Sequence, residues 1–388
     1  MTSAERAATA GGGGLRPVWA AVDLEAIRSN ARLLAQVAAP AALCAVVKAD
    51  GYGHGALAVA RAALSGGARW LAVALVEEGI ELRQGGIGAP ILVLSEPHAD
   101  AMAAVVANHL VPAVYTERGL AAAASAVRAA GTAPLPVQVK VDTGMHRVGA
   151  APAQAVRLAT EVARHPALSL GGFFTHFAVA DEPGSPFTAG QLAVYLDACS
   201  ELSAGGVDVG IRHAANSAGA LWHPAARLDM VRCGIALYGL SPNSAGGPHV
   251  DGLAPAMSLR AQVSYVKTVE AGERVSYGLR YRVAERSVVA TVPIGYADGV
   301  PRRLGAVGGQ VVIGGRRLPI AGTVTMDQLM VDCGPPGCGP EVSVGDEVVL
   351  IGTQGAEAIS AWEWAGLTDT IAYEVVCGIS QRVPRVYR

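Results

Sequence analysis

Three lysines, Lys48, Lys140 and Lys267, stand among 30 basic residues, and all the others are arginine. The choice matters chemically. Arginine stays protonated, whereas a desolvated lysine can lose its proton and act as a nucleophile or a base. Lys48 has the most suggestive setting. An apolar run over 43–47 ends at it, and Ala49-Asp50-Gly51-Tyr52-Gly53-His54-Gly55 follows at once. A helical pattern over 56–64 comes next. Short apolar runs ending in β-branched residues read as buried strands. Lys48 is then at the C-terminal mouth of a strand, where parallel α/β sheets and barrels bind ligands. The plain alternative is a lysine that survived in an arginine-rich composition.

Other candidates recur at the ends of apolar runs. Lys140 and Asp142 close one run and precede Thr143-Gly144-Met145-His146-Arg147. His176 follows another, His213 and Asn216-Ser217 the next, and Arg232-Cys233-Gly234 the last. Singly, each has a structural explanation: a salt-bridging arginine, a hydrogen-bonded core histidine. Gathered on one face they are a candidate active site. The Gly51-x-Gly53-x-Gly55 run is not a dinucleotide fingerprint, because its third glycine falls too early. Barrels commonly hold phosphate in the loops after strands seven and eight. Ser217 and the backbone at Gly234-Ile235 lie there. A nucleophilic lysine, a phosphate site and an arginine for a pyridine nitrogen together describe a pyridoxal 5'-phosphate pocket.

These residues need a frame. A strand-like 18–23 leads into a helix from Leu24. Apolar runs follow at 42–48, 70–75, 90–95, 111–115, 136–142, 168–174, 211–215 and 228–232, and amphipathic alanine-rich segments such as 99–108, 118–130 and 152–164 separate most of them. Eight strands with helical crossovers are the count for a TIM-type (β/α)8 barrel, with a doubly wound sheet as the alternative. We expect a leader over 1–15, the barrel over 16–245 and a mainly β C-terminal domain over 246–388. Short alternating segments at 258–266, 288–293, 310–312, 329–332 and 347–351 build the last, with short helices near 362–367 and 371–376 and a closing strand at 382–387.

Composition narrows the classes. Net charge is -2, which disfavours a nucleic-acid or anionic-membrane surface. No apolar run approaches the roughly 18 residues of a membrane span, and the polar, glycine-rich start lacks the apolar core of a signal peptide. Six cysteines form no C-x-x-C pair, as expected of free thiols in the reducing cytoplasm. The nine histidines lack metal-binding spacing.

Val47-Lys48-Ala49-Asp50-Gly51-Tyr52-Gly53-His54-Gly55 resembles the cofactor-attachment signature of the alanine racemases. The resemblance continues through Lys140-Val141-Asp142-Thr143-Gly144-Met145-His146-Arg147, Asn216-Ser217 and Met230-Val231-Arg232-Cys233-Gly234-Ile235. Beyond the linker come Val275-Ser276-Tyr277-Gly278, Pro293-Ile294-Gly295-Tyr296-Ala297-Asp298-Gly299, Met326-Asp327-Gln328 and Tyr373-Glu374-Val375. The family implies a head-to-tail homodimer whose sites combine the barrel of one subunit with the β-domain of the other.

It also implies roles. Lys48 holds the cofactor as an internal aldimine and serves the D-alanine proton; Tyr277 of the other subunit serves the L-alanine proton. A phenol is a weak acid, so His176 and Arg232 would assist it through hydrogen bonds and charge. With Lys48, His176 and Arg232, the residues Tyr52, Asn216, Ser217, Gly234, Ile235 and Tyr373 match the cofactor and phosphate site. Arg147 matches a carboxylate clamp, Met326 the substrate lining and Tyr296 a tyrosine that narrows access. Lys140 matches a lysine carbamylated in some members. Arginine keeps a pyridine nitrogen unprotonated, so Arg232 favours prompt reprotonation over transamination.

The implied reaction is racemisation of alanine, supplying D-alanine for peptidoglycan, with no metal, membrane or nucleic acid. Alternatives are a racemase that accepts serine, a barrel decarboxylase, or a pyridoxal phosphate-binding protein without turnover. Tyr277 and Arg232 speak against decarboxylation, and the second domain speaks against a barrel acting alone. His146, Thr323 and Thr325 depart from the family's usual residues. Lys267 matches nothing and reads as a solvated strand residue.

Overall fold

The computed structural model describes residues 15–338 and 341–388. The expected leader over 1–15 lies, Leu15 apart, outside them. The chain divides into two compact units: Glu25–Ala254, and Pro255–Arg388 together with the segment ending at Leu24. The first strand, β1 (Val18–Val22), therefore belongs with the C-terminal strands, and the barrel unit begins at Glu25 where the pattern had suggested 16. All five residues of β1 are buried. Such a strand suits either unit, and a run buried on both faces does not name its partner.

The eight apolar runs from 42–48 to 228–232 are the eight barrel strands. They are β2 (Ala42–Val46), β3 (Trp70–Val73), β4 (Ile91–Val93), β5 (Val111–Val114), β6 (Leu135–Lys140), β7 (Leu168–Phe174), β8 (Ile211–His213) and β9 (Met230–Cys233). All are parallel, in the order β9-β2-β3-β4-β5-β6-β7-β8. The β8–β9 seam closes through sparser bonds: Asp229 N donates to Arg212 O (3.1 Å) and Arg232 N to Ala215 O (2.9 Å). The strands are rich in Val, Leu and Ala because both faces are covered.

The helices follow their local signals. Pro152–Arg164 opens with proline and buries Ala155, Val156, Leu158, Ala159 and Val162, the i, i+3, i+4, i+7 stripe of a half-buried helix. Thr116 caps Glu117–Ala130 by accepting from Gly119 N, and Gly131 ends it at φ 61°.

The second unit is mainly β, with two short helices, Ala361–Thr368 and Ala372–Cys377. Its strands are β10 (Met257–Gln262), β11 (Tyr265–Val269), β12 (Arg274–Val275), β13 (Tyr281–Arg282), β14 (Ser287–Val292), β15 (Gln310–Ile313), β16 (Arg316–Pro319), β17 (Leu329–Asp332), β18 (Glu347–Gln354), β19 (Glu357–Ile359) and β20 (Arg385–Tyr387). The largest sheet runs β16-β15-β18-β10-β1-β20, with β19 on β18; β11-β14-β17 forms another and β12-β13 a hairpin. The run expected as one strand over 258–266 breaks at Val263-Ser264 into β10 and β11, which enter different sheets. Val269, Val275, Val283, Val289 and Ala321 form a core cluster, with Tyr281 and Met330 packed against it.

Candidate active site

Lys48 follows β2 at the barrel mouth. Behind it, Val47 N donates to Ala72 O (2.8 Å). Ahead of it, Ala49, Asp50, Gly51 and Tyr52 have φ of 53°, 52°, 60° and 52°. This is a turn of left-handed helix, and three of its members carry a Cβ. Each costs on the order of 1–2 kcal/mol relative to the right-handed form. Only Gly51 is at ease, and a Cβ there would press within 3.3 Å of Ala56 backbone. Two carboxylates brace the turn. Glu78 Oε1 accepts from Ala49 N (2.6 Å), and Asp50 Oδ1 accepts from Ala56 N (2.8 Å) at the start of the helix Ala56–Ser65.

Arg232, 2% exposed, lies on β9. Its Nη1 donates to His213 Nδ1 (2.8 Å), and its Nη2 to Thr175 O (2.8 Å), Ala214 O (3.1 Å) and His176 Nδ1 (3.2 Å). A guanidinium cannot accept, so both histidines offer Nδ1 as a lone pair. His213 therefore carries its proton on Nε2 and donates to Gln138 Oε1 (2.7 Å). Burial first, then the Arg232 charge, holds both imidazoles well below their ordinary value. Burial also lowers Arg232 to about 10. The Phe174 ring stacks on His213 at 4.7 Å, with Arg232 at 5.3 Å and Lys140 Nζ at 5.4 Å from its centroid.

Lys140 is buried at the end of β6, and Nζ donates to Leu94 O (3.4 Å). Burial, then Arg232, Arg147 and Lys48, lower its ammonium to about 7, with Asp142 opposing. Asp142 sits below the usual carboxylate range. Burial opposes its charge, but amides of Gly144, His146 and Met145 and the His146 ring outweigh it. This clasp shapes the loop to the exposed Arg147. Behind it, buried Gln191 donates to Thr143 Oγ1 (3.3 Å) and His176 O (3.2 Å), tying two mouth loops to one helix. Sequence reasoning missed Gln191, Glu78 and Gln138, because each sits inside an ordinary helix or strand pattern.

Ser217 Oγ accepts from Gly234 N (2.9 Å) and Ala236 N (3.4 Å). Tyr52 lies against the same spot, since a Cβ on Gly234 would meet its Oη at 2.4 Å. Glycine is required there for the tyrosine to approach. Tyr52 stacks on Tyr238 (4.8 Å), whose hydroxyl donates to Val46 O. Ile235 is buried beside Gly234. Asn216 caps the short helix Ser217–Trp222 by accepting from Gly219 N (2.9 Å).

The second unit carries the remaining candidates. Tyr277 is 72% exposed, Met326 52% and Tyr296 40%. Tyr277 follows Ser276, whose φ is 66° and whose Oγ donates to Thr323 O; Thr323 Oγ1 donates back to Tyr277 O (3.1 Å). The unusual residue Thr323 thus braces the tyrosine turn. Tyr296 N donates to Thr325 O (2.9 Å) and Ala297 N to Met326 O (3.0 Å), fixing Tyr296 beside the Met326 loop. Tyr373 is half-buried on Ala372–Cys377, and Lys267 is exposed on β11.

The barrel mouth thus joins a lysine on a braced turn to a cationic floor. Lys48, Arg147 and Arg232 all act on Lys140, against the single carboxylate of Asp142. A hydroxyl and backbone amides meet at a glycine cradle. That donor set fits an anionic phosphate cofactor with a carbonyl for the lysine, and pyridoxal phosphate is such a group. Among the described residues no cluster of His, Cys, Asp and Glu could hold a metal ion, and no helix is long and apolar enough to cross a membrane.

These features fit a barrel enzyme of the class that works through a lysine-bound phosphate cofactor. Residues 22–242 match the profile of the alanine racemase N-terminal domain, and 256–387 that of the C-terminal domain. An alanine racemase of Symbiobacterium thermophilum is 52% identical over 96% of this chain and 98% of its own; one of Thermobifida fusca is 44% identical over 95% and 97%. The alanine racemase structure from D-cycloserine-producing Streptomyces lavendulae superposes with TM-score 0.90 at 40% identity, covering 97% of this chain and 98% of that one. That from E. faecalis gives 0.91 at 38%, covering 97% and 99%. The chain belongs to the alanine racemase family.

Proposed function

We propose that this chain interconverts L- and D-alanine with pyridoxal 5'-phosphate, as a cytoplasmic head-to-tail homodimer, supplying D-alanine for peptidoglycan. The observation that carries the reading is the buried Arg232, held by neutral acceptors in a mouth that also presents Lys48. When bound through Lys48, the cofactor withdraws electrons from the α-carbon of an amino acid and acidifies its proton.

The residues do the rest. Inverting a centre needs a base on each face, since one base cannot cross the plane. Lys48, once free as an amine, moves the proton on the D-alanine side. Tyr277 of a second subunit moves it on the L-alanine side. His176 stays neutral beside Arg232, so it conveys hydrogen bonding without adding a charge. Arg232, always a donor, would leave a pyridine nitrogen facing it unprotonated, which would disfavour electron storage and favour return of the proton to carbon.

Tyr52, Asn216, Ser217, Gly234, Ile235 and Tyr373 hold cofactor and phosphate. Arg147 pairs with the substrate carboxylate. Met326 and Tyr296 leave room near the α-carbon for a methyl group. Lys140 has an amine that is substantially neutral near pH 7. Such an amine can add to carbon dioxide and release one proton, giving a carbamate whose charge orients Arg147.

Two measurements on the purified protein test this. Borohydride reduction with pyridoxal phosphate should label the peptide holding Lys48, and L-alanine should become racemic. A labelled peptide elsewhere, or L-alanine left unchanged, overturns the reading. Intact mass under carbon dioxide decides the Lys140 carbamate.

A further inference from the structure

We propose that Glu78 is a positioning residue for Lys48, holding the left-handed turn that aims it. The inference rests on the assignment of Lys48 above. Glu78 lies in the first turn of the helix Val76–Gln84. Its Oε2 accepts from Ala74 N (2.8 Å) and Leu75 N (3.0 Å), which caps its own helix. Its Oε1 leaves that helix and accepts from Ala49 N at 2.6 Å. One carboxylate therefore joins the chain leaving β2 to the chain leaving β3.

Ala49 supplies the first amide after Lys48, and it begins the run of positive φ. The backbone on the strand side of Lys48 is already fixed by the Val47 N bond to Ala72 O. Glu78 fixes the other side. Without that acceptor, Ala49 is held only by the turn's own bonds, such as Gly53 N to Ala49 O (2.9 Å), against a conformation that L-residues disfavour, and relaxation there turns the Cα–Cβ direction of Lys48. Helix capping alone needs only Oε2. The Oε1 arm serves the lysine turn.

Ala49 is exposed, so replacing it with glycine loses no packing and removes the Cβ penalty at φ 53°. This makes a discriminating test. In Glu78→Ala, we expect weaker retention of pyridoxal phosphate, less borohydride labelling of Lys48 at limiting cofactor, and kcat lower by up to about 100-fold, with KM for alanine unchanged. Tm also falls, because the helix cap is lost. Adding Ala49→Gly should restore cofactor retention and kcat by about fivefold while Tm stays low. Where Glu78→Ala gives no soluble protein, Glu78→Gln carries the same comparison. Its single acceptor oxygen cannot serve both arms.

Wild-type labelling and kcat in Glu78→Ala would overturn the inference. So would a double variant that recovers nothing, which leaves Glu78 a simple helix cap. Should the wild-type protein bind pyridoxal phosphate at Lys48 yet racemise nothing, the proposed function falls, and the retention and labelling comparison still decides Glu78. If the wild type leaves Lys48 unlabelled, both fall.

Discussion

The barrel mouth and the Tyr277 face of the β-domain are built on opposite principles. At the mouth, Arg232, His213 and Ser217 are buried, and each polar arm meets a partner inside one unit. On the β-domain, Tyr277, Met326 and Tyr296 stand in water on turns whose backbones are firmly tied. Large side chains exposed together on tied turns are what the proposed dimer would cover. The difference teaches that the mouth satisfies its polar groups within the barrel, Tyr373 of the β-domain being the one proposed cofactor contact from outside it, while Tyr277, the proposed second acid–base group, stands exposed.

The contrast breaks most sharply at Lys48. Lys48→Arg keeps the charge but removes the nucleophile and base, so racemisation should fall by at least about 10⁴-fold and borohydride labelling should vanish. Tyr277→Phe should cost about 10²- to 10⁴-fold, with labelling of Lys48 intact. If sites are shared between subunits, mixing these two variants should restore about a quarter of wild-type activity, because half the dimers are mixed and each holds one complete site. No recovery would mean that the site is not shared.

Arg232→Leu addresses the buried side of the comparison. It strands Thr175 O, Ala214 O and His213 Nδ1, and should cost at least about 3 kcal/mol by urea unfolding; the same substitution at exposed Arg147 should leave stability unchanged. Per pH unit, the smallest effect is a pH dependence. Burial and neighbouring cations hold Lys140 near 7 when folded, against about 10.4 in an unfolded chain. Between these values the unfolded chain binds the extra proton, so stability rises with pH from about 7 to about 10. Below pH 7 the folded state bears the full cost of the buried ammonium. Lys140→Met should flatten this rise by at most about 1.4 kcal/mol per pH unit, measured in carbon dioxide-free buffer.

Much of this is legible in the sequence. Eight apolar runs are eight barrel strands, and Pro152–Arg164 and Leu329–Asp332 have the bounds that their patterns suggest. What stayed hidden was non-local. β1 pairs antiparallel with β10 and parallel with β20, more than 230 residues away, and nothing in Val-Trp-Ala-Ala-Val announces that. The strands β12 and β16 are short and arginine-bearing, so they resemble loops. The turn after Lys48 looked like glycine work, yet its positive φ angles fall on Ala49, Asp50 and Tyr52 as well. Bonds from Glu78 and Asp50 brace that conformation against local preference.

One further consequence lies in the barrel's weakest join. Arg232 belongs to β9, and its guanidinium reaches Thr175 O and Ala214 O, carbonyls contributed from the β7–β8 flank. The group proposed to set the electronics of the pocket is thus also a clasp across the gap where strand ladders run out. A carboxylate in its place would face acceptors with an acceptor. Descendants of this chain could not trade one reaction for another at that position without first finding a different way to shut the cylinder.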